Sequence, residues 1–90
     1  MNGTEGALLP NRRMLAMLRA VNEGRAQMSC GCEPDLFVDG LSCCDQATAH
    51  DLARYGLIEP ERPGRCGELV GAELTDAGRA MLALSLPKAA

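Results

Sequence analysis

The chain has 90 residues with 12 acidic and 9 basic side chains, a formal net charge of −3, and only two aromatic residues, Phe37 and Tyr55. One core fits in that length, and it must be built from Leu, Met, Val and Ala. No run approaches the roughly 18 apolar residues of a membrane helix, and the N-terminus has no basic segment of the signal-peptide kind. The chain is therefore expected in the cytosol, where its five cysteines are thiols, metal ligands or redox sensors rather than a disulfide framework.

Residues 1–10 read as a loose arm, with two glycines and a closing Pro10. Asn11 is placed to cap a helix, because its side chain can accept from a free first-turn amide. Met14, Met17, Leu18 and Val21 then recur at spacings of three and four, the stripe of an amphipathic helix that Gly24 ends. Ala26 and Met28 alternate with polar neighbours, as in a short strand or a connection.

Cys30-Gly31-Cys32 reads as a turn, and Pro34 suits the first position of a helix, where its missing donor costs nothing. Leu36, Phe37 and Val38 would fill that two-turn second helix, and Gly40 would close it. Ser42 is the candidate cap of a third helix running to Tyr55, with Ala49, Leu52 and Ala53 inward and Gly56 at its end. Leu57 and Ile58 begin a strand that Pro60 and Pro63 shorten. Val70, Ala72 and Leu74 alternate with Gly71 and Glu73 as a half-buried strand does. Thr75 would cap the last helix, with Asp76 suited to the helix dipole in its first turn and an end near Leu86, before Pro87. Residues 87–90 are then a tail. The run AMLALSL is apolar nearly all round, so this helix should meet another chain or close over the first helix.

The motifs GLIEP (residues 56–60) and AELTDAGRAML (residues 72–82), with RRMLAMLRAVNEGRAQMS upstream, resemble MarR-like and PadR-like winged helix-turn-helix transcription regulators. The resemblance implies a mostly α fold with a small antiparallel β wing over residues 11–86, forming a homodimer through its first and last helices. It further implies that the third helix enters the major groove of duplex DNA while the wing touches the backbone. Carried onto this chain, the contacts would be Ser42, Asp45, Gln46, Thr48, His50 and Arg54 on the helix, and Arg62 and Arg65 on the wing. Gln can pair with adenine, Ser or Thr with several bases, and Arg with phosphate.

Charge distribution points another way. Residues 33–51 hold five acids (Glu33, Asp35, Asp39, Asp45 and Asp51) and no Lys or Arg, leaving nine Lys and Arg against seven acids elsewhere. DNA binding draws on Lys and Arg neutralising phosphates, so an acidic middle suits a second reading, an interaction module engaging a basic protein. The cysteines form CxC, then CC, then a single Cys66. Cys30, Cys32, Cys43, Cys44 and Cys66 are thus candidate zinc ligands, buried or idle thiols, or redox sensors. No nucleophile with a positioned base, phosphate loop or dinucleotide fingerprint is present, so an enzyme is not expected.

Overall fold

The computed structural model describes residues 11–85. In chain order the elements are α1 (Arg12–Asn22), β1 (Ala26–Ser29), β2 (Leu36–Val38), β3 (Leu41–Ser42), α2 (Gln46–Arg54), β4 (Ile58–Pro60), β5 (Leu69–Leu74) and α3 (Asp76–Ser85). The expected arm and tail, and the expected helix end at Leu86, lie outside the described residues. The five strands form one antiparallel sheet in the order β3-β2-β1-β5-β4, and this is an α+β fold.

That architecture corrects the expected mostly α, winged helix-turn-helix fold. The segment read as its second helix is instead the hairpin β2–β3, so no helix-turn-helix unit forms. Val38 pairs with Leu41 across Asp39 and Gly40, whose φ angles are 54° and 81°. Two successive positive-φ residues are what a two-residue type I′ hairpin requires, and Asp-Gly supplies them cheaply. The Arg25 guanidinium holds the strained Asp39 through its carboxylate, with Nη2 donating at 3.0 Å. The following helix also begins later than expected. Ser42 lies in β3, and Asp45 is the residue that caps α2, accepting from the Thr48 amide at 3.0 Å.

Other elements form as their residues dictate. Asn11 accepts from the Met14 amide at 2.9 Å and caps α1. At α3, the Thr75 hydroxyl accepts from the Gly78 amide at 3.0 Å and donates to the Gly56 carbonyl, which joins the helix start to the end of α2.

All three helices lie on one face of the sheet. Met14, Leu18 and Val21 of α1, Leu52 of α2 and Leu82 of α3 share a core with Met28, Leu36, Ile58, Ala72 and Leu74 from the strands. Burial alternates along β5, with Val70, Ala72 and Leu74 inward and Leu69 and Glu73 outward, as the two-residue strand period demands. Of the two expectations for α3, closure over α1 of the same chain is what forms. None of the described helices is long and apolar enough to cross a membrane.

The sheet's two edges are short. β3 has two residues and β4 ends at Pro60, which blunts both against strand addition.

Candidate functional site

The residues expected to read DNA fall on α2, its preceding hairpin and the β4–β5 loop, and most of them are engaged inside the protein. Gln46 is the clearest case. Its Oε1 accepts from the Leu36 amide at 2.9 Å, while Nε2 reaches the Leu36 carbonyl at 3.0 Å, the Cys43 carbonyl at 3.0 Å and Ser42 Oγ at 3.1 Å. The side-chain amide thus pairs with Leu36 as a neighbouring strand's peptide group would. Ser42 is tied up by the same contact.

Asp45 accepts from Thr48 Oγ1 at 2.6 Å and from Arg13 Nη1 at 2.9 Å, besides capping the helix. Thr48's hydroxyl and amide, followed by Arg13, hold the Asp45 carboxyl down at about 2. His50 Nε2 lies 3.0 Å from Asp35 Oδ1, and Arg54 pairs with Asp51 at 3.1 Å. On the loop, Arg62 pairs with Glu68 at 3.1 Å. The Arg65 amide donates to Glu68 at 2.9 Å, and this bond with the Arg62 pair lowers the Glu68 pKa. The Arg65 side chain has no ion-pair partner among the described residues.

Much of the acidic middle is engaged in the same way. Asp39, Asp45 and Asp51 each pair with an arginine, Asp35 contacts the imidazole of His50, and only Glu33 of the five has no partner among the described residues. Four of the expected acids are therefore scaffold charges.

Three of the five cysteines line two clefts, and Cys30 and Cys66 line neither. Cys32 lines one of about 430 Å³ that also takes in Glu33, Pro34, His50 and Arg54. Cys43 and Cys44 line another of about 520 Å³ beside Arg13 and Asp45. Among the described residues no three His, Cys, Asp or Glu side chains gather as a metal site, so Cys30, Cys32, Cys43, Cys44 and Cys66 do not assemble the expected zinc set. Burial, then the neighbouring Cys44 and Asp45, pushes the Cys43 thiol up, and its side chain packs against the core.

What the sequence reading missed is the sheet's outer face. Strand register defines it: Ser42, Phe37, Gln27 and Gly71 form one row, Ser29 and Leu69 a second, and Glu73 and Glu59 a third. None of the described helices packs on this side. Leu69 is 41% exposed there, and Phe37 is half-buried. Glu61 extends the face beyond β4: its amide donates to the Gly71 carbonyl at 2.8 Å, and its carboxylate lies across Gly71, where a Cβ would come within 2.6 Å of it. Glu59, Glu61 and Glu73 have no ion-pair partner among the described residues. The signal in the sequence was alternation: Glu59 and Glu61, like Glu73, sit two residues apart from positions of the same face.

No protein-family model, curated protein or solved structure matches this chain.

Proposed function

We propose that this chain is a protein-interaction module that acts by binding, presenting the outer face of its sheet to a partner with basic side chains. The observation that carries the reading is the cross-strand pair Glu59–Glu73 on a face that none of the described helices covers. Like charges directly opposite on adjoining strands destabilise a sheet. A Lys or Arg placed between these carboxylates relieves that repulsion, and Glu61 adds a third acceptor. Leu69 and Phe37 supply apolar contact at the centre of the face, with polar carboxylates toward one side, an arrangement that suits a partly apolar, basic segment.

Duplex DNA is the competing partner, through α2, Arg54, Arg62 and Arg65. The internal hydrogen bonds of Gln46, and the ion pairs of Arg54 and Arg62, weigh against it. A single binding assay separates the two. The full chain is tested at low and moderate salt against an immobilised set of 15-residue peptides of graded positive charge and against random-sequence duplex DNA. Retention on basic peptides that carry apolar residues, lost in the double variant E59K/E73K, is expected. Binding to duplex DNA that survives in E59K/E73K and disappears in R54A/R65A would overturn the proposal.

A further inference from the structure

Beyond the sheet face, a second feature stands on its own observations. The turn at Cys30–Cys32 and the loop carrying Cys66 are fastened to each other by backbone hydrogen bonds. Cys30's amide donates to the Glu68 carbonyl at 2.9 Å, and the Gly67 amide donates to the Cys30 carbonyl at 2.8 Å. Gly67 and Glu68 therefore both oppose Cys30, the two-against-one arrangement of a β-bulge, with Gly67 at the positive φ of 87° that such a bulge favours. The Glu68 amide closes the loop on the Arg65 carbonyl at 2.8 Å. This geometry presents Cys66 to the turn. Its Sγ lies 3.7 Å from the point where a Cβ on Gly31 would sit, so the absence of a side chain at Gly31 leaves the thiol against the turn's backbone.

We infer that Cys66 and Cys32 are a redox-active thiol pair that closes to an intramolecular disulfide on exposure to hydrogen peroxide. Both are exposed and reduced. Cys32 follows Gly31 directly, so its Cα lies about 3.8 Å from that residue's, one step along the turn from the point that the Cys66 thiol already approaches. Cys30 is the less suitable partner. It is half-buried, with Sγ turned under Gly64 toward Val70 and Glu68. Cys43 and Cys44 belong to the other cleft.

The reaction balances with peroxide as the only co-reactant. Cys66 sulfur attacks one peroxide oxygen, an S–O bond forms as O–O breaks, and the departing oxygen leaves as water, giving the sulfenic acid. Cys32 sulfur then attacks the sulfenic sulfur, S–S forms as S–O breaks, and the second oxygen leaves as water with the Cys32 proton. Two thiols lose two hydrogens and one peroxide becomes two waters. Because Gly31 and Cys32 line the cleft beside α2, the bond joins a wall of that cleft to the β4–β5 loop.

Peptide mapping tests the pair. The reduced full chain is treated with stoichiometric hydrogen peroxide, remaining thiols are alkylated, and the protein is cut with trypsin and with a protease that cleaves before Asp. Trypsin places Cys66 on the peptide spanning residues 66–79, and cleavage before Asp35 and Asp39 separates Cys30 and Cys32 from Cys43 and Cys44. The expected product is a monomer in which the Cys66 peptide is joined to the segment holding Cys32. This link should be lost in C32S and retained in C30S, with a melting temperature raised by about 5–10 °C in the oxidised wild-type chain. A link that persists in C32S, a covalent dimer, or stable sulfinic acid on Cys66 without a link would overturn the assignment. Circular dichroism of C32S and C30S confirms that each variant is folded before its map is read.

Discussion

At the scale of single residues, Gln46 shows how a side chain typical of base recognition can be given to the scaffold. Its side chain accepts from the Leu36 N–H and adds a second donor to the Leu36 carbonyl, which also accepts from the Cys43 amide at 3.0 Å. Leaving that part-buried N–H unpaired is the larger part of what its loss would cost. Q46A should therefore destabilise the fold by about 2–3 kcal/mol in urea denaturation, far more than a surface substitution. A change under about 0.5 kcal/mol would mean that the amide is free to act elsewhere. Asp45 makes a second prediction. Its carboxyl sits at about 2 in the fold, below its ordinary value of 3.8. A depressed carboxylate contributes stability above its unfolded pKa and loses it as pH falls through the folded value. Melting temperature measured from pH 5 to pH 2 should fall more steeply in the wild type than in D45N, which keeps a capping oxygen but cannot titrate. Parallel curves would show that Asp45 is not the group responsible. None of this was legible in the sequence, since Gln46 meets a residue ten positions away and Asp45 meets Arg13 across the fold.

Among the elements, legibility followed the strength of local signals. The α1 stripe, the alternation of β5 and the Thr75 cap were readable because each is set by periodicity or by a residue's immediate neighbours. Leu36-Phe37-Val38 was misread because a short apolar run fits a buried helix turn and a strand equally well. Pro34 tipped the reading toward a helix, although Asp39-Gly40 between apolar residues was the hairpin signal. A different reason fixes Gly78 within α3. A Cβ there would lie 2.0 Å from the Leu57 carbonyl oxygen, which is backbone and accepts from the Thr75 amide at 3.1 Å. Neither partner can rotate away, so α3 must shift off β4 to admit even one methyl group. G78A should lower stability by about 3 kcal/mol despite Ala's better helix propensity, as chemical denaturation will measure. A neutral or stabilising result would show that α3 is free to move, and that its contact with the end of α2 is not fixed.

For the molecule as a whole, what matters is which charges remain after internal pairing. Arg13, Arg25, Arg54, Arg62 and Arg79 all meet acids. The charges left without ion-pair partners among the described residues include Arg12 and Arg19, exposed on α1, and Glu59, Glu61 and Glu73 on the outer sheet face. Unpaired positive charge thus lies on α1 and unpaired negative charge on the outer sheet face, with Arg65 and Glu33 also unpaired among the described residues, in loops between elements, a distribution that total composition conceals. Such a polarity steers encounter with a charged partner, and steering is screened once the Debye length falls from about 10 Å at 0.1 M salt toward 3 Å at 1 M. For a basic peptide selected on the wild-type chain, the association rate should drop about tenfold between 0.02 and 0.5 M salt, while the dissociation rate changes far less. E59Q/E73Q should flatten that dependence and R12Q/R19Q should leave it intact, both read by stopped-flow mixing. The same glutamine pair should also raise the stability of the unbound chain by about 0.5 kcal/mol, because it removes a cross-strand repulsion. Lower affinity with higher stability in one variant is the signature of a face kept for binding. If E59Q/E73Q leaves both quantities unchanged, the carboxylates are solvated bystanders; if R12Q/R19Q removes the salt dependence, the partner is acidic and docks on α1.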